Sequence, residues 1–353
     1  MKITTIGLDL AKNAFQVHGV DERGKAVLKK QLKRAQVLPF FADLKPCLVG
    51  MEACGGAHYW ARKLAELGHT VKLVAPQFVK PYVKSNKHDA ADAEAICEAV
   101  ARPNMRFVPV KTVEQQAILA LHRARQGFVK ARTAQANQIR GLVAEFGIIL
   151  PQGIHSIAQR IPDILEDGEN GLPDMLRQLL ERLSVNLKEL SRQADECEAR
   201  IQAWYRENEA SRRLADIPGI GPITASALVA SVGDAKCFAN GRQLAAWLGL
   251  VPRQSSTGGK QKLLGISKRG DTYLRTLLVH GARSVIRVAE RKADKHENWL
   301  HRVMGRRHKN IAAVALANKN ARTVWALLAH ERLFQLNYRA AMTSEESTRV
   351  PIE

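Results

Sequence analysis

The stretch KITTIGLDLA, residues 2–11, has the pattern of a β-strand that contains an acid. Its β-branched and apolar residues favour a strand, and Asp9 lies inside that strand. A carboxylate among apolar residues costs several kcal/mol unless it is paired or binds a metal ion. The stretch therefore predicts a strand whose acid needs a specific partner.

Further strand and helix patterns follow this strand through residue 105. They are, in chain order, AFQVHGVD, KAVLKKQL, PCLVGMEA (46–53), AHYWARKLAELGH and TVKLVAP. The turn signal DERGK separates the first two runs, and Gly68 ends the amphipathic helix. Residues 1–105 are therefore expected to form an α/β sheet that starts with an antiparallel hairpin.

Two aspartates three residues apart occur in the alanine-rich stretch NKHDAADAEA, residues 86–95. Alanine at this density favours a helix, and Asp89 and Asp92 then share one helix face and repel each other slightly. One interpretation is a helix start, with Asp89 as cap and Asp92 and Glu94 near the positive end of the helix dipole. The other interpretation is a pair of metal ligands.

Two strand ends and the helix start together supply four acids. They are Asp9, Glu52, Asp89 and Asp92. Carboxylate oxygens suit Mg²⁺, and sites with two metal ions serve phosphodiester chemistry. The alternative is a separate explanation for each acid, as a cap, a surface residue or one partner of a salt bridge.

The segment 106–210 is expected to be helical. From residue 176 to 204, apolar residues alternate steps of four and three, which is a heptad pattern. The seam comprises Leu176, Leu180, Leu183, Leu187, Leu190, Ala194, Cys197, Ile201 and Trp204. It predicts a coiled coil, formed between chains or with the helix at 111–150. The alternative is one long helix packed inside its own chain. The stretches PQGIHS and EDGENGLP, within 151–173, are expected to be loops.

Composition favours a nucleic-acid partner. The 353 residues carry 54 Lys and Arg against 34 Asp and Glu, a formal net charge of +20. Lys and Arg release counterions from phosphate backbones, although a membrane surface is a competing partner. No apolar run is long enough to span a bilayer, and the N-terminus lacks the pattern of a signal peptide. The five scattered cysteines favour reduced cytosolic thiols over a disulfide framework or a zinc site.

The positive charge is concentrated in the C-terminal part. Between residues 253 and 310, fifteen Lys or Arg oppose four acids. The preceding stretch IPGIGPIT resembles a helix-hairpin-helix element, in which Gly219 and Gly221 would let backbone N–H groups contact a DNA phosphate. An ordinary tight turn between helices is the alternative. Residues 341–353 are expected to form a disordered tail.

A segment rich in Ser, Thr and Gly follows, GLVPRQSSTGGKQKLLGISKRGDTYLR, residues 249–275. One interpretation is a flexible phosphate-binding loop. The other is a serine nucleophile, with cations that stabilise the charge of the transition state. Because the segment has no histidine, a base or metal ion would have to come from elsewhere in the fold.

As a set, these motifs resemble the DEDD-type transposases of insertion sequences, which are related to pilin-gene inverting recombinases. The motifs occur in the order GLDLAKN, GMEACGGAHYW, NKHDAADAEAI, IPGIGPITA, GLVPRQSSTGGK and GISKRGDTYLR. The resemblance implies an RNase H-like (RuvC-like) domain at 1–105, a coiled-coil linker at 106–210 and a helical transposase domain at 211–340. It also implies a homo-oligomer (dimer or tetramer), donor and target DNA, and a guide RNA encoded by the element.

The resemblance implies site residues as well. Asp9, Glu52, Asp89 and Asp92 would hold Mg²⁺, and a serine would form a covalent link to DNA. Counting forward from GLVPR places Thr257 at the nucleophile position, whereas counting backward from GISKRGD places Ser256 there. Because serine is the family's nucleophile, Ser256 is predicted, with Ser255 as alternate. Expected nucleic-acid contacts are Lys87, Gly219, Gly221, Arg253, Lys260, Lys262, Lys268 and Arg269.

Two other function classes remain open from the sequence. A RuvC-like hydrolytic nuclease would need the four acids but no serine. A non-catalytic nucleic-acid-binding protein would need only the glycine turn and the basic segment, and it would leave the acid in the first strand unexplained. The expected location is the bacterial cytoplasm, with no membrane partner.

Overall fold

A computed structural model describes residues 2–84, 88–291 and 299–335. Lys87 and the tail at 341–353 lie outside these residues. The chain divides into two compact units, the first formed by residues 1–119 and 230–237, and the second by 120–229 and 238–353.

A six-stranded sheet forms the first unit. Its strands are β1 (Thr5–Leu10), β2 (Ala14–Val20), β3 (Ala26–Lys33), β4 (Leu48–Glu52), β5 (Thr70–Val74) and β6 (Phe107–Val108). The order across the sheet is β3-β2-β1-β4-β5-β6. The first three strands pair antiparallel, β1, β4 and β5 pair parallel, and β6 pairs antiparallel with β5. The prediction of an α/β sheet that starts with an antiparallel hairpin is confirmed.

Helices cover both faces of this sheet. They are α1 (Val37–Ala42), α2 (Ala57–Glu66), α3 (Pro76–Val79) and α4 (Asp89–Val100). Ile6 and Leu8 of β1 join a buried cluster with Phe41 of α1 and Trp60 of α2. Because side chains alternate along a strand, Gly7 and Asp9 point to the opposite face.

The helix α4 packs on that opposite face at very short range. A Cβ on Gly7 would lie 2.1 Å from the carbonyl oxygen of Ala93, and a Cβ on Gly50 would lie 2.7 Å from the Cβ of Val100. Glycine at the facing positions of β1 and β4 therefore lets the helix approach the sheet. The first turn of α4 is thereby held near the ends of β1 and β4.

Helices make up most of the other residues that the structure describes. They are α5 (Val113–Ala144), α6 (Ile154–Glu166), α7 (Asp174–Glu207), α8 (Glu209–Ala215), α9 (Pro222–Val232), α10 (Gly241–Trp247), α11 (Thr272–Arg291), α12 (Trp299–Arg306) and α13 (Lys309–His330). A two-stranded hairpin, β7 (Pro252–Thr257) and β8 (Lys260–Ile266), follows α10. No helix in the described ranges combines the length and apolarity needed to cross a bilayer.

Every second residue of the heptad seam is buried within its own chain, and the others are half-buried. Leu180 and Leu187 of α7 pack in one cluster with residues of α5 and α6, including Ile139 and Ile157. Ala194 and Ile201, at the next two seven-residue steps, are also buried. The structure therefore supports packing of the seam within its own chain, against the helix predicted at 111–150 and also against α6.

The structure corrects one loop expectation and narrows another interpretation. The end of PQGIHS is helical, because α6 begins at Ile154 and buries Ile157, Ile161 and Ile164 against the seam. In the segment 249–275, for which a flexible phosphate-binding loop was one of two interpretations, residues 252–266 form the β7–β8 hairpin. Its turn uses Gly258 and Gly259, both with positive φ, which glycine adopts without steric cost.

Candidate active site

Three of the four predicted acids converge in the first unit. Carboxylate oxygens of Asp9, Asp89 and Asp92 lie within 4.8 Å of one another. Asp9 comes from the C-terminal end of β1, and the two others come from the first turn of α4. The close packing of α4 on Gly7 is what brings these two elements together. We refer to the three residues as the carboxylate cluster.

Glu52, the fourth acid, ends the neighbouring strand. The parallel register pairs Gly7 with Gly50 and Leu8 with Met51, so Asp9 and Glu52 lie at the same level of the sheet. Both side chains then project to the face covered by α4. The charge of Glu52 acts on Asp9, which places Glu52 beside the carboxylate cluster although outside the 4.8 Å group.

The environment of Asp9 disfavours its ionised form. Burial, followed by the charges of Asp92, Asp89 and Glu52, raises the pKa of Asp9 from 3.8 to about 6. Like charges held this close repel unless a cation lies among them. Oxygen ligands of this kind suit Mg²⁺, so the donor set fits the metal ion that the motifs imply.

The start of α4 is capped differently from the expectation. His88, not Asp89, is the cap residue, and its Nδ1 accepts a hydrogen bond from the backbone N–H of Ala90 at 3.2 Å. Asp89 is the first helical residue. With the cap supplied by His88, the carboxylates of Asp89 and Asp92 are available for the cluster, and the dipole still favours their charge.

The predicted nucleophile lies on β7 in the second unit. Ser256 is exposed, and its Oγ accepts a hydrogen bond from Nε2 of Gln254 at 2.7 Å. The register pairs Ser256 with Gln261, Ser255 with Lys262 and Thr257 with Lys260. Directly paired residues share a face, so the two lysines accompany Ser255 and Thr257, while Ser256 lies among glutamines.

The foot of the hairpin is a tightly packed turn. Lys268 has a φ of 55°, a left-handed conformation that is uncommon for residues other than glycine. Its N–H donates to the carbonyl oxygen of Gly249 at 3.1 Å. A Cβ on Gly249 would lie 2.0 Å from the carbonyl oxygen of Arg269. Both Lys268 and Arg269 are exposed on this turn, as are Arg253, Lys260 and Lys262 on the hairpin.

In the glycine turn between α8 and α9, packing within the unit explains one of the two glycines. A Cβ on Gly219 would lie 2.8 Å from the carbonyl oxygen of Gly281 on α11, and Gly219 also has a φ of 88°. Gly219 is thus required by packing within its own unit. Gly221 is exposed with open space around it, so its N–H region is accessible to a phosphate.

Reasoning from the sequence missed two residues beside the predicted sites. Gln16 pairs with Asp9 across β1 and β2, and therefore shares the face of the carboxylate cluster. Arg275, counted among the basic residues, donates instead to the carbonyl oxygens of Leu248 and Arg269. No sequence signal identifies either one, because both depend on strand register or on contacts between distant segments.

Comparisons with known proteins agree with these motifs. Residues 6–148 match the DEDD transposase model of IS110, and residues 211–297 match the model described as "Transposase IS116/IS110/IS902 family". The chain is 56% identical to a "Probable family 20 transposase" of Pseudomonas aeruginosa, over 95% of the chain and 99% of the relative. It is 45% identical to "Transposase for insertion sequence element IS1328" of Yersinia enterocolitica, over 94% and 98%. A "Pilin gene-inverting protein" of Moraxella bovis is a distant relative, 26% identical over 79% of this chain and 81% of its own.

Proposed function

Because the chain belongs to the IS110/IS116 family of DEDD transposases, enzymes that cut and rejoin DNA, we propose that it acts through a covalent serine–DNA intermediate and a Mg²⁺ site. The observation that carries the proposal is the convergence of Asp9, Asp89 and Asp92. A chain that only bound nucleic acid would have no use for three mutually repelling carboxylates on an otherwise basic protein.

The carboxylate cluster would hold the metal ion, with Glu52 beside it. When bound, Mg²⁺ supplies charge stabilisation at the scissile phosphate and lowers the pKa of an attacking hydroxyl. The strand β1 fixes Asp9 on a rigid sheet, and the first turn of α4 fixes Asp89 and Asp92 against it. Such fixed positions limit the reorganisation that would otherwise slow the reaction.

The serine step transfers a phosphoryl group without an external energy source. The Oγ of Ser256 forms a bond to phosphorus, the bond from phosphorus to a sugar oxygen breaks, and the serine proton ends on that oxygen. A sugar hydroxyl of another strand then reverses the step and frees the serine. Gln254 donates to Oγ, so the serine O–H is not used in that hydrogen bond. Arg253, Lys260, Lys268 and Arg269 would stabilise charge on the phosphate or hold the DNA backbone.

A guide RNA encoded by the element, and a homo-oligomer, complete the proposal. The basic surface at Lys260, Lys262, Lys268 and Arg269 is exposed and suits phosphate backbones of either nucleic acid. Gly221 and the start of α9 would add backbone N–H groups as phosphate contacts. Pairing of the RNA with donor and target DNA would supply sequence specificity that backbone contacts lack.

Trapping the covalent adduct tests the serine assignment. Wild-type protein incubated with Mg²⁺, the guide RNA of the element and DNA carrying the element ends should give a protein–DNA species that survives denaturing electrophoresis. Ser256→Ala should abolish this species, whereas Ser255→Ala and Thr257→Ala should retain it. Retention of the adduct in Ser256→Ala, with loss in one of the other two variants, would move the nucleophile to that neighbour.

Thermal denaturation with and without Mg²⁺ tests the metal site. Bound metal should raise the Tm of the wild type, because a ligand that binds only the folded state stabilises it. Asp92→Asn should remove this shift, and without metal it should stabilise the protein by on the order of 1 kcal/mol, since repulsion falls. The control, Glu22→Gln in the β2–β3 turn, should keep the shift. An equal Mg²⁺ shift in Asp92→Asn would contradict the assignment.

A RuvC-like hydrolytic nuclease is the second candidate function. The carboxylate cluster alone supports it, since hydrolysis needs the acids but no serine. It predicts cleaved DNA with no covalent adduct, and full cleavage by Ser256→Ala. The adduct experiment therefore separates the two functions directly.

A further inference from the structure

A polar surface adjoins the carboxylate cluster on the same face of the sheet. The register pairs Asp9 of β1 with Gln16 of β2, and Gln16 with Gln31 of β3. Side chains of directly paired residues project to one face, so these three form a row. Strands lie about 4.8 Å apart, and the row therefore extends about 10 Å from Asp9 to the sheet edge.

Two lysines flank the end of this row. Lys29 and Lys33 lie two residues to either side of Gln31 on β3, so they share its face. All three β3 side chains are exposed, which shows that α4 does not cover them. We define the β3 polar surface as Lys29, Gln31 and Lys33 of β3 together with Gln16 of the neighbouring strand β2.

The strand register places Lys29 on the sheet face against which α4 packs, because His18 pairs with both Gly7 and Lys29. Burial lowers the pKa of His18, the charge of Glu94 on α4 opposes this effect, and the charge of Lys29 adds to it. His18 pairs directly with Lys29 across β2 and β3. Lys29 therefore lies on the same sheet face as the helix that supplies Asp89 and Asp92.

Basic residues on the other face of this region are already engaged within the fold. The ammonium group of Lys30 lies 5.3 Å from the ring centre of Phe40, and the guanidinium group of Arg34 lies 5.1 Å from that of Trp60. By contrast, no ion pair within the described ranges involves Lys29 or Lys33. Lys29 and Lys33 are therefore available to a partner, whereas Lys30 and Arg34 already contact aromatic rings.

We propose that the β3 polar surface binds the sugar–phosphate backbone of the DNA strand whose phosphate is held at the carboxylate cluster. The inference rests on the proposed function of that cluster. Four acids repel an approaching phosphate backbone, and two lysines about 10 Å away offset this repulsion where the strand leaves the site. The amides of Gln16 and Gln31 donate hydrogen bonds to backbone oxygens without reading sequence.

A competing explanation comes from the place of β3 at the edge of the sheet. Lysines on edge strands discourage pairing with other chains. In that case Lys29 and Lys33 would protect against aggregation and would not touch DNA. If the lysines contact DNA, neutralising them weakens DNA binding. If they protect the sheet edge, neutralising them promotes aggregation and leaves DNA binding unchanged.

The test compares two double variants of the full chain. Lys29→Gln/Lys33→Gln neutralises the proposed surface, and Lys30→Gln/Lys45→Gln removes the same charge elsewhere in the first unit. Binding of fluorescein-labelled single-stranded DNA of mixed sequence is measured by anisotropy in EDTA over a series of salt concentrations. The first variant should reduce the slope of log K against log salt by about 1.4, because each phosphate contact on a single strand contributes about 0.7.

The control double variant should keep the wild-type slope. Equal slopes for the two double variants would overturn the proposal, and aggregation of Lys29→Gln/Lys33→Gln with unchanged DNA binding would assign the lysines to edge protection. A larger slope change with RNA of the same sequence than with DNA would also overturn the assignment to DNA.

The readout distinguishes this proposal from the function on which it rests. Binding in EDTA requires neither metal nor cleavage. A slope change together with no adduct and no cleavage by the wild type would retain the DNA contact and reject the chemistry. An adduct in the wild type together with unchanged slopes would retain the chemistry and reject the DNA contact.

Discussion

His122 lies buried in α5 and is held by two hydroxyl groups. Its Nε2 lies 3.1 Å from Oγ of Ser226, and its Nδ1 lies 3.0 Å from the hydroxyl oxygen of Tyr273. Because the Ser226 hydroxyl donates to the carbonyl oxygen of Pro222, Nε2 of His122 carries the hydrogen and Nδ1 accepts from Tyr273. The neutral ring thus connects α5, α9 and α11, and a protonated ring would lose the bond to Tyr273 as acceptor.

We predict that His122 makes stability fall in mild acid. Burial, with the charge of Arg125, lowers its pKa from 6.5 to about 4. Between these pH values the unfolded chain takes up a proton that the folded chain refuses, so stability is full above pH 6.5 and falls as the pH approaches 4. The loss amounts to about 3 kcal/mol at most.

Chemical denaturation at several pH values measures this loss. His122→Gln has no titrating group, so its free energy of unfolding should change less between pH 6.5 and 4 than that of the wild type. Comparing how the free energy of unfolding of the two proteins changes with pH removes the contribution of other titrating groups, including Asp9. Parallel pH profiles for the two proteins would show that His122 does not control acid stability.

At the scale of elements, the β7–β8 hairpin depends on contacts at its foot. Arg275 of α11 donates to the carbonyl oxygens of Leu248 and Arg269, at 3.1 and 3.3 Å. These carbonyls lie on either side of the hairpin, so one guanidinium group joins its two ends. The exposed strands themselves bury little apolar surface, and an isolated hairpin is only marginally stable.

We predict that Arg275→Ala loosens the hairpin. Loss of hydrogen bonds to a charged donor should cost about 1.5–3 kcal/mol locally, and amide exchange over 252–266 should accelerate in exchange mass spectrometry. Arg287→Ala, an exposed position on the same helix, is the matched control and should leave this exchange unchanged. Equal protection of the hairpin amides from exchange in wild type and Arg275→Ala would show that the Arg275 hydrogen bonds are dispensable.

Elements differ in how well the sequence predicts them. The strand that carries Asp9 and the seam from Leu176 onward have clear periodicity, and both were predicted. The hairpin was missed because exposed strands rich in Ser, Thr and Lys have a composition similar to that of loops. The helix α6 was misassigned at its start because PQGIHS combines Pro and Gly, although the isoleucines that follow have the spacing of a buried helix face.

For the whole molecule, the net charge of +20 favours contacts with the phosphate backbone of DNA. We predict that affinity for DNA falls steeply with salt, by roughly a thousandfold or more between about 50 and about 200 mM if six or more phosphates are contacted. Anisotropy titrations over this range measure the slope. A nearly flat dependence would exclude backbone contacts as the main source of affinity and would place binding in uncharged contacts.

Residue types and motifs were enough to predict the family, the α/β start, the candidate acids and the concentration of positive charge. These properties are encoded in residue types and short-range spacing, which motifs and periodicity report directly. The three-dimensional structure was needed to show that Asp9 meets Asp89 and Asp92, that His88 caps α4 and that Arg275 joins the ends of the hairpin. It was also needed to show that Lys29 and Lys33 share the sheet face of the cluster. The cap is a local contact, whereas the others depend on strand register or on the packing of separate segments. A shift of one residue in a strand reverses the face on which every side chain lies.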